Sequence, residues 1–185
     1  GIESATGEWI NFLNSGDIFT DREVLNKIFK EPIPDQYGVL YGDYIADYVE
    51  FGRNTIKVKN GRPFWKRYIN HQSIFVRTSL LKQYKFSKDY KICGDYEMLL
   101  HFFYQGEKFK YFSCPVSIRR GVGYSDERRI ASYKENIRIA KKYVSPLPVF
   151  LFFYYKSATH IVKKLIKIIS PSFLQKIIRQ LISSQ

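Results

Sequence analysis

The first residue that could do chemistry is a carboxylate in a tight turn. Residues 14–17 read N-S-G-D, and they follow a short stretch of alternating apolar and polar residues that predicts a buried strand. A carboxylate held in such a turn can place a hard oxygen ligand on Mg²⁺ or Mn²⁺. The same four residue types also favour turns that only connect a strand to the next element. Spacing alone leaves both interpretations of Asp17 open.

A second acidic pair, Asp95 and Glu97, lies at the start of a predicted helix. An acid there is stabilised by the helix dipole and can act simply as a cap. Alternatively, Asp95 could be the general base that removes a proton from an acceptor hydroxyl. His71 and Gln72 precede a short apolar run, where an imidazole could be structural, or could bind a phosphate or assist a metal site.

Basic and aromatic residues form two further candidate sites. Arg62, Trp65 and the residues after it could grip a diphosphate or stack a sugar ring, or could equally cover the edge of a loop. Arg119 and Arg120 could belong to a phosphate-contacting loop, or could be a solvated arginine pair.

The elements that must position these residues follow from hydrophobic periodicity and turn signals. The sequence predicts strands at 8–13, 39–45, 73–76, 109–112 and 116–119, a hairpin-like excursion up to residue 59, and helices at 21–30, 78–84, 95–105 and 125–144. Alternating strands and helices indicate an α/β domain, in which ligands gather at the carboxyl ends of strands. Asp17 and Asp43 are expected at or near such ends.

The charge distribution separates the carboxy-terminal segment from the rest of the chain. The net charge is +13, and after Glu135 there are nine Lys and Arg residues and no acidic residue. Apolar residues recur there at helical spacing on both sides of Pro171, so we expect amphipathic helices lying on an anionic membrane surface. The alternative is that they pack on the rest of the chain or in a dimer. No apolar stretch reaches the roughly 20 residues needed to span a bilayer.

The order of these segments is more specific than any one of them. The runs GEWINFLNSGDIF, VLYGD, HQSIFVRTSLL, YKICGDYEMLL and IRRGVGYS occur in that order over about residues 1–140. In this combination the chain resembles the later half of bacterial family-2 glycosyltransferases. The chain opens in what the pattern predicts to be the end of a helix, and Met98 is its only methionine, so we expect it to lack an amino-terminal piece.

The resemblance implies an α/β fold of the GT-A type, a Rossmann-like sandwich present in part at residues 1–144, with a basic amphipathic helical tail at 145–185. It implies an inverting, metal-dependent transfer of a sugar from a nucleotide-diphosphate donor to a hydroxyl acceptor in cell-surface polysaccharide or glycolipid assembly. By position, Asp17 would bind Mg²⁺ or Mn²⁺ and Asp95 would be the catalytic base. The expected substrate-binding residues are Asn14, Ser15, Trp65, His71, Gln72, Arg119 and Arg120.

The chain departs from the family pattern at the metal motif, because Asn14 stands where the first acid is expected and Asp17 would be the main protein ligand. The expected partners are a nucleotide-diphosphate sugar, a saccharide or lipid-linked acceptor and an anionic membrane, without nucleic acid, and the expected place is the cytoplasmic face of the cell membrane. We expect residues 1–185 to be inactive alone, because the resemblance places the nucleotide-binding strands before them. The alternatives are a non-catalytic basic binding module and a degenerate transferase.

Overall fold

The computed structural model describes residues 1–48, 52–67, 69–84, 86–121 and 123–169. The chain divides into two compact units, Gly1–Glu127 and Arg128–Gln185. The boundary expected at residue 144 therefore differs from this division, because the helix before it packs against the helix after it within the second unit.

The described residues of the first unit form one mixed sheet of six strands. The strands are β1 (Trp9–Ile10), β2 (Ile18–Phe19), β3 (Tyr37–Tyr48), β4 (Gly52–Ile56), β5 (Ile74–Arg77) and β6 (Lys108–Arg120). Their order is β1-β5-β3-β6-β2, with β4 paired to β3. β3 and β6 run parallel and the other pairings are antiparallel. With the helices that follow, this architecture confirms the predicted α/β class.

Helices α1 (Val24–Ile28), α2 (Thr78–Tyr84), α3 (Gly94–Tyr104) and α4 (Tyr124–Glu127) complete the first unit. A core cluster joins α1 to the sheet through Val24, Ile28, Leu40, Phe75 and Val116. The apolar spacing of α1 thus buries one side of a short helix, which has too few residues to be stable without this packing.

The central strand β3 is buried on both faces over most of its length. This burial explains why its sequence is largely apolar or aromatic without a strict alternation. Asp43, expected near the end of a strand, lies in the interior of β3, because the strand continues to Tyr48. It is 2% exposed, and its Oδ1 accepts hydrogen bonds from the Val58 backbone N–H (2.8 Å) and the Tyr111 hydroxyl (2.7 Å). Burial, together with the hydrogen bond to Asp43, raises the pKa of Tyr111 to about 12.

Gly42 marks a close approach between the parallel strands β3 and β6. A Cβ at this position would lie 2.6 Å from Val116 Cγ2 and 2.8 Å from the Cys114 carbonyl oxygen. We expect Gly42→Ala to lower the free energy of unfolding by about 1–3 kcal/mol, because the methyl group overpacks against the buried Val116 side chain and the backbone of β6. Urea denaturation would measure it. Gly61→Ala, where a Cβ would meet nothing within 4 Å, is the control and should unfold like the wild type.

Four of the predicted elements differ from the structure. The two strands expected at 109–112 and 116–119 are one strand, β6, because Pro115 lies at a register shift opposite Asp43, where a bulge tolerates proline. The strand expected at 8–13 is paired only at Trp9–Ile10. The helix expected at 125–144 is interrupted at Arg128: Asp126 of α4 forms an ion pair with Arg119 at 2.7 Å, which fixes α4 to the end of β6.

The second unit consists, in its described part, of α5 (Arg129–Ala140) and α6 (Pro146–Ile169). They pack through Ile139, Ala140, Val149 and Phe153, all of which are buried, with the Tyr133 and Phe153 rings 6.1 Å apart. The apolar segment from Leu147 and the first striped segment of the tail form this one helix. The second striped segment, from Leu174 to Leu181, lies outside the described residues. Within the described ranges, no helix is long and apolar enough to cross a bilayer.

Candidate functional site

The N-S-G-D turn follows β1 and directs Asp17 back towards the sheet. The Asp17 backbone N–H donates to the Asn14 carbonyl at 3.1 Å and closes the turn. Gly16 has φ 89°, a left-handed conformation that glycine adopts without strain. Asn14 and Ser15 are exposed in this turn, whereas Asp17 is half-buried.

Asp17 joins two distant parts of the first unit. Its Oδ2 accepts a hydrogen bond from Gln72 Nε2 at 2.6 Å, and its Oδ1 accepts one from the Arg120 backbone N–H at 2.9 Å. A carboxylate held by two donors is oriented rigidly, and each oxygen retains a lone pair for a further partner. The predicted residues Asp17 and Gln72 therefore belong to one cluster, to which Arg120 contributes its backbone.

A 3-10 turn at His71–Ser73 carries two of the predicted residues. Asn70 precedes it, and its side-chain oxygen accepts from the Gln72 backbone N–H at 3.1 Å. Asn11 Nδ2 donates to the carbonyls of Gln72 (3.0 Å) and Ile74 (2.8 Å). The backbone of this turn is thus held from both sides. Sequence analysis did not identify Asn11 or Asn70, although an asparagine just before a helical turn is a recognisable cap signal.

His71 links this turn to α3 and to the N-S-G-D turn. Its Nδ1 lies 3.2 Å from Asp95 Oδ2, and its Nε2 lies 3.0 Å from Asn14 Nδ2. Since the amide nitrogen of Asn14 can only donate, Nε2 accepts, and a neutral His71 carries its proton on Nδ1, facing Asp95. This arrangement orients the Asp95 carboxylate.

Asp95 lies in the first turn of α3, as predicted, and its Oδ1 accepts from the Tyr96 backbone N–H at 2.8 Å. Glu97 is buried and bonds to the Tyr84 hydroxyl, so it does not share a site with Asp95. The Tyr96 hydroxyl donates to the Trp65 carbonyl at 2.7 Å, and burial raises the pKa of Tyr96. These contacts fix the start of α3 against the rest of the unit.

A cleft of about 240 Å³ lies beside this cluster. Asp95 and His71 are the polar residues of its wall. The apolar wall consists of Phe12, Ile74, Val76, Phe86, Ile92 and Met98. The rings of Phe12 and Phe86 stand edge to face at 6.0 Å, and both are more than one-third exposed. The cleft can therefore hold a small group with an apolar face and present it to a carboxylate.

Two predicted binding residues are held elsewhere. Trp65 is 6% exposed, so its indole is packed into the unit and offers no open face to a sugar ring. Arg119 is buried, with its ion pair to Asp126 and a 2.7 Å hydrogen bond to the Tyr48 hydroxyl. Both contribute to the packing of the first unit because aromatic and arginine side chains, once buried, take fixed partners. The side chain of Arg120, by contrast, is exposed.

The donor set around Asp17 fits a hard divalent cation bound through few protein ligands. Among the described residues, no cluster of three or more His, Cys, Asp or Glu side chains is placed to hold a metal ion. Mg²⁺ commonly binds through only one or two carboxylates together with substrate phosphates. Asp17 supplies one carboxylate, and the Oε1 of Gln72 is a buried oxygen without a hydrogen-bond partner. Oxygen donors of this kind suit Mg²⁺ or Mn²⁺.

No protein-family model matches the chain, and no curated protein matches it.

Proposed function

We propose that the chain is the catalytic part of an inverting, metal-dependent glycosyltransferase of the GT-A type. It would transfer a sugar from a nucleotide-diphosphate donor to a hydroxyl acceptor in the assembly of cell-surface polysaccharide or glycolipid. The observation that carries the proposal is the cluster around the 71–73 turn, where His71 contacts Asp95 and the next residue, Gln72, contacts Asp17. Two carboxylates that are 78 positions apart in the sequence thereby contact two adjacent residues of one turn.

The chemistry of inversion needs one base and one place for the leaving group. The acceptor hydroxyl would give its proton to Asp95 while its oxygen bonds to the anomeric carbon from the face opposite the diphosphate. The bond from that carbon to the diphosphate oxygen breaks, and the nucleoside diphosphate leaves with the electron pair. A cation at Asp17 would supply charge neutralisation for the diphosphate. His71 contributes by holding the Asp95 carboxylate in one orientation.

The cleft is the binding site that we propose for the acceptor. Asp95 is part of the wall, so a hydroxyl that enters the cleft comes within reach of the base. The partly exposed rings of Phe12 and Phe86 are suited to the C–H face of a sugar. On the donor side, Asn14 and Ser15 are exposed in the same turn as Asp17, and Arg120, whose side chain is exposed, donates its backbone N–H to Asp17. These three residues can contact phosphate oxygens.

The test is a transfer assay on the whole protein with a panel of nucleotide-diphosphate sugars, Mn²⁺ and mixed saccharide and lipid-linked acceptors. We expect release of nucleoside diphosphate from one donor, abolished by chelation of the metal, and a product with inverted anomeric configuration by NMR. A protein that binds donor without turnover would be a degenerate transferase. Salt-sensitive binding to oligonucleotides with no response to any donor would instead indicate a basic binding module.

We also propose that α6 lies on an anionic membrane at the cytoplasmic face of the cell, next to lipid-linked acceptors. Its exposed apolar side chains recur three or four positions apart, which places them on one side of the helix. They include Leu147, Leu151, Tyr154, Ile161 and Leu165, each at least half exposed. Lys156 and Lys163 lie on the other side by the same periodicity, together with the residues Val149 and Phe153 that pack against α5. A wide apolar face with a basic polar face is typical of interfacial helices.

Vesicle binding tests this placement. We expect the protein to sediment with vesicles containing phosphatidylglycerol, and the double variant Leu151→Gln, Tyr154→Gln to bind more than tenfold more weakly, because two apolar side chains no longer enter the bilayer boundary. Leu25→Gln, an exposed apolar residue of α1, is the matched control and should bind like the wild type. Lys163→Gln, Lys164→Gln should weaken binding only to anionic vesicles. Dimerisation through α6 without vesicle binding would contradict the proposal.

A further inference from the structure

Gln72 has an unusual environment for a buried amide. The residue is 3% exposed, and its Oε1 is buried without a hydrogen-bond partner. Its Nε2 is committed to Asp17 Oδ2 at 2.6 Å. Buried carbonyl oxygens are almost always paired, because an unpaired one has lost its water and gained nothing in return. The unpaired oxygen therefore lacks a hydrogen-bond donor or a cation as its partner, and it belongs to the same amide whose nitrogen contacts Asp17.

We propose, resting on the proposed function, that Gln72 is the second protein ligand of the divalent cation at Asp17, through Oε1. The terminal torsion of a glutamine is broad and roughly two-fold, so rotating the amide by half a turn exchanges Oε1 with Nε2 without moving the backbone. The oxygen then takes the place now occupied by the nitrogen, beside Asp17 Oδ2.

The spacing of the two groups agrees with a shared cation. Adjacent ligands of an octahedral Mg²⁺, each 2.0–2.1 Å from the ion, are about 2.9 Å apart. The present 2.6 Å between Gln72 Nε2 and Asp17 Oδ2 is within a small side-chain adjustment of that value. The main chain of Gln72 is already held in place by Asn70 and Asn11, so the ligand pair is positioned before the cation arrives.

Asn14, which stands where the family pattern has its first acid, is hydrogen-bonded to another residue. The Asn14 amide nitrogen donates a hydrogen bond to His71 Nε2 at 3.0 Å. A pair consisting of one carboxylate and one amide carries a single negative charge. Such a site should bind the cation weakly by itself and more tightly when a diphosphate supplies further oxygens, because ligand charge is a main determinant of affinity for hard cations.

The experiment is a titration with Mn²⁺, followed by the electron paramagnetic resonance signal of the free ion, on the wild type, Gln72→Glu and Gln72→Leu. Each titration is run with and without inorganic pyrophosphate as the leaving-group analogue. We expect Gln72→Glu to tighten Mn²⁺ binding about tenfold, because it adds a second carboxylate, and Gln72→Leu to weaken it about tenfold. Gln83→Leu, at an exposed position of α2, is the matched control and should leave the affinity unchanged.

The outcomes separate this inference from the proposed function. If the wild type binds Mn²⁺ and neither Gln72 variant changes the affinity, the inference fails while the metal-dependent transferase stands. If the wild type does not bind Mn²⁺ even with pyrophosphate, both fail. A thermal melt shows whether Gln72→Leu is folded; should it be unfolded, the result for Gln72→Glu decides, since a glutamate that does not tighten binding contradicts a ligand at this position.

Discussion

Replacing Asp95 with asparagine is expected to lower the rate of sugar transfer about 10²–10⁴-fold in the whole protein, the range that a positioned general base contributes. Asparagine keeps the shape of the side chain, and its one oxygen can keep one of the two contacts of the Asp95 carboxylate, either from the Tyr96 backbone N–H (2.8 Å) or from His71 Nδ1 (3.2 Å). The cleft and the turn at 71–73 should therefore persist. The substitution removes only the basic carboxylate that accepts the proton, so kcat falls while the KM for the donor changes little.

The measurement is steady-state kinetics of transfer with the donor varied, together with Mn²⁺ affinity. Asp89→Asn, in an exposed turn of the first unit, is the matched control for removing one carboxylate and should transfer at the wild-type rate. Wild-type turnover in Asp95→Asn would remove Asp95 from the role of base. A parallel loss of Mn²⁺ binding would show instead that Asp95 belongs to the metal side of the site.

Replacing Asp17 with asparagine should have an effect of similar size by a different route. A bound cation lowers the free energy of the transition state by several kcal/mol, because it stabilises the charge that develops on the leaving group. The rate of transfer should therefore fall on the order of 10³-fold at a fixed metal concentration. The carboxamide oxygen can still accept one of the two hydrogen bonds that Asp17 receives, from Gln72 and from the Arg120 backbone. The fold should therefore be preserved while the charge is lost.

Raising the Mn²⁺ concentration distinguishes a metal ligand from a structural carboxylate. For Asp17→Asn, we expect the dependence of rate on Mn²⁺ to shift to higher concentration, with partial recovery near saturation. Asp126→Asn removes a buried carboxylate paired with Arg119, and it should lower the thermal midpoint without changing the metal dependence. An unchanged Mn²⁺ dependence in Asp17→Asn would contradict the placement of the cation.

Local sequence patterns were sufficient to predict several secondary-structure elements. The helix predicted at 78–84 is α2, Thr78–Tyr84, and the helix predicted at 95–105 is α3, Gly94–Tyr104. Both depend on apolar spacing and turn signals within a few residues, which the sequence displays directly. The hairpin-like excursion after the second predicted strand is also confirmed, since β4 pairs antiparallel with β3.

Elements that depend on distant strand partners could not be predicted from the sequence. β2 is only two residues long and exists because Ile18 and Phe19 pair with Ile118 and Ser117, about a hundred positions later. The continuity of β6 through Pro115 depends on a register shift against β3. Neither pairing leaves a periodic signal in its own segment, because a strand edge is defined by its neighbour.

The amino-acid sequence by itself determined the α/β class, the position of Asp17 in a glycine-containing turn and the position of Asp95 in the first turn of a helix. These follow from residue types within one turn of chain. Only the tertiary structure decided that His71 faces Asp95 while Gln72 faces Asp17, and that Trp65 and Arg119 are packed inside the unit. Side-chain direction and burial are set by segments that are far apart in sequence and meet only when the sheet assembles.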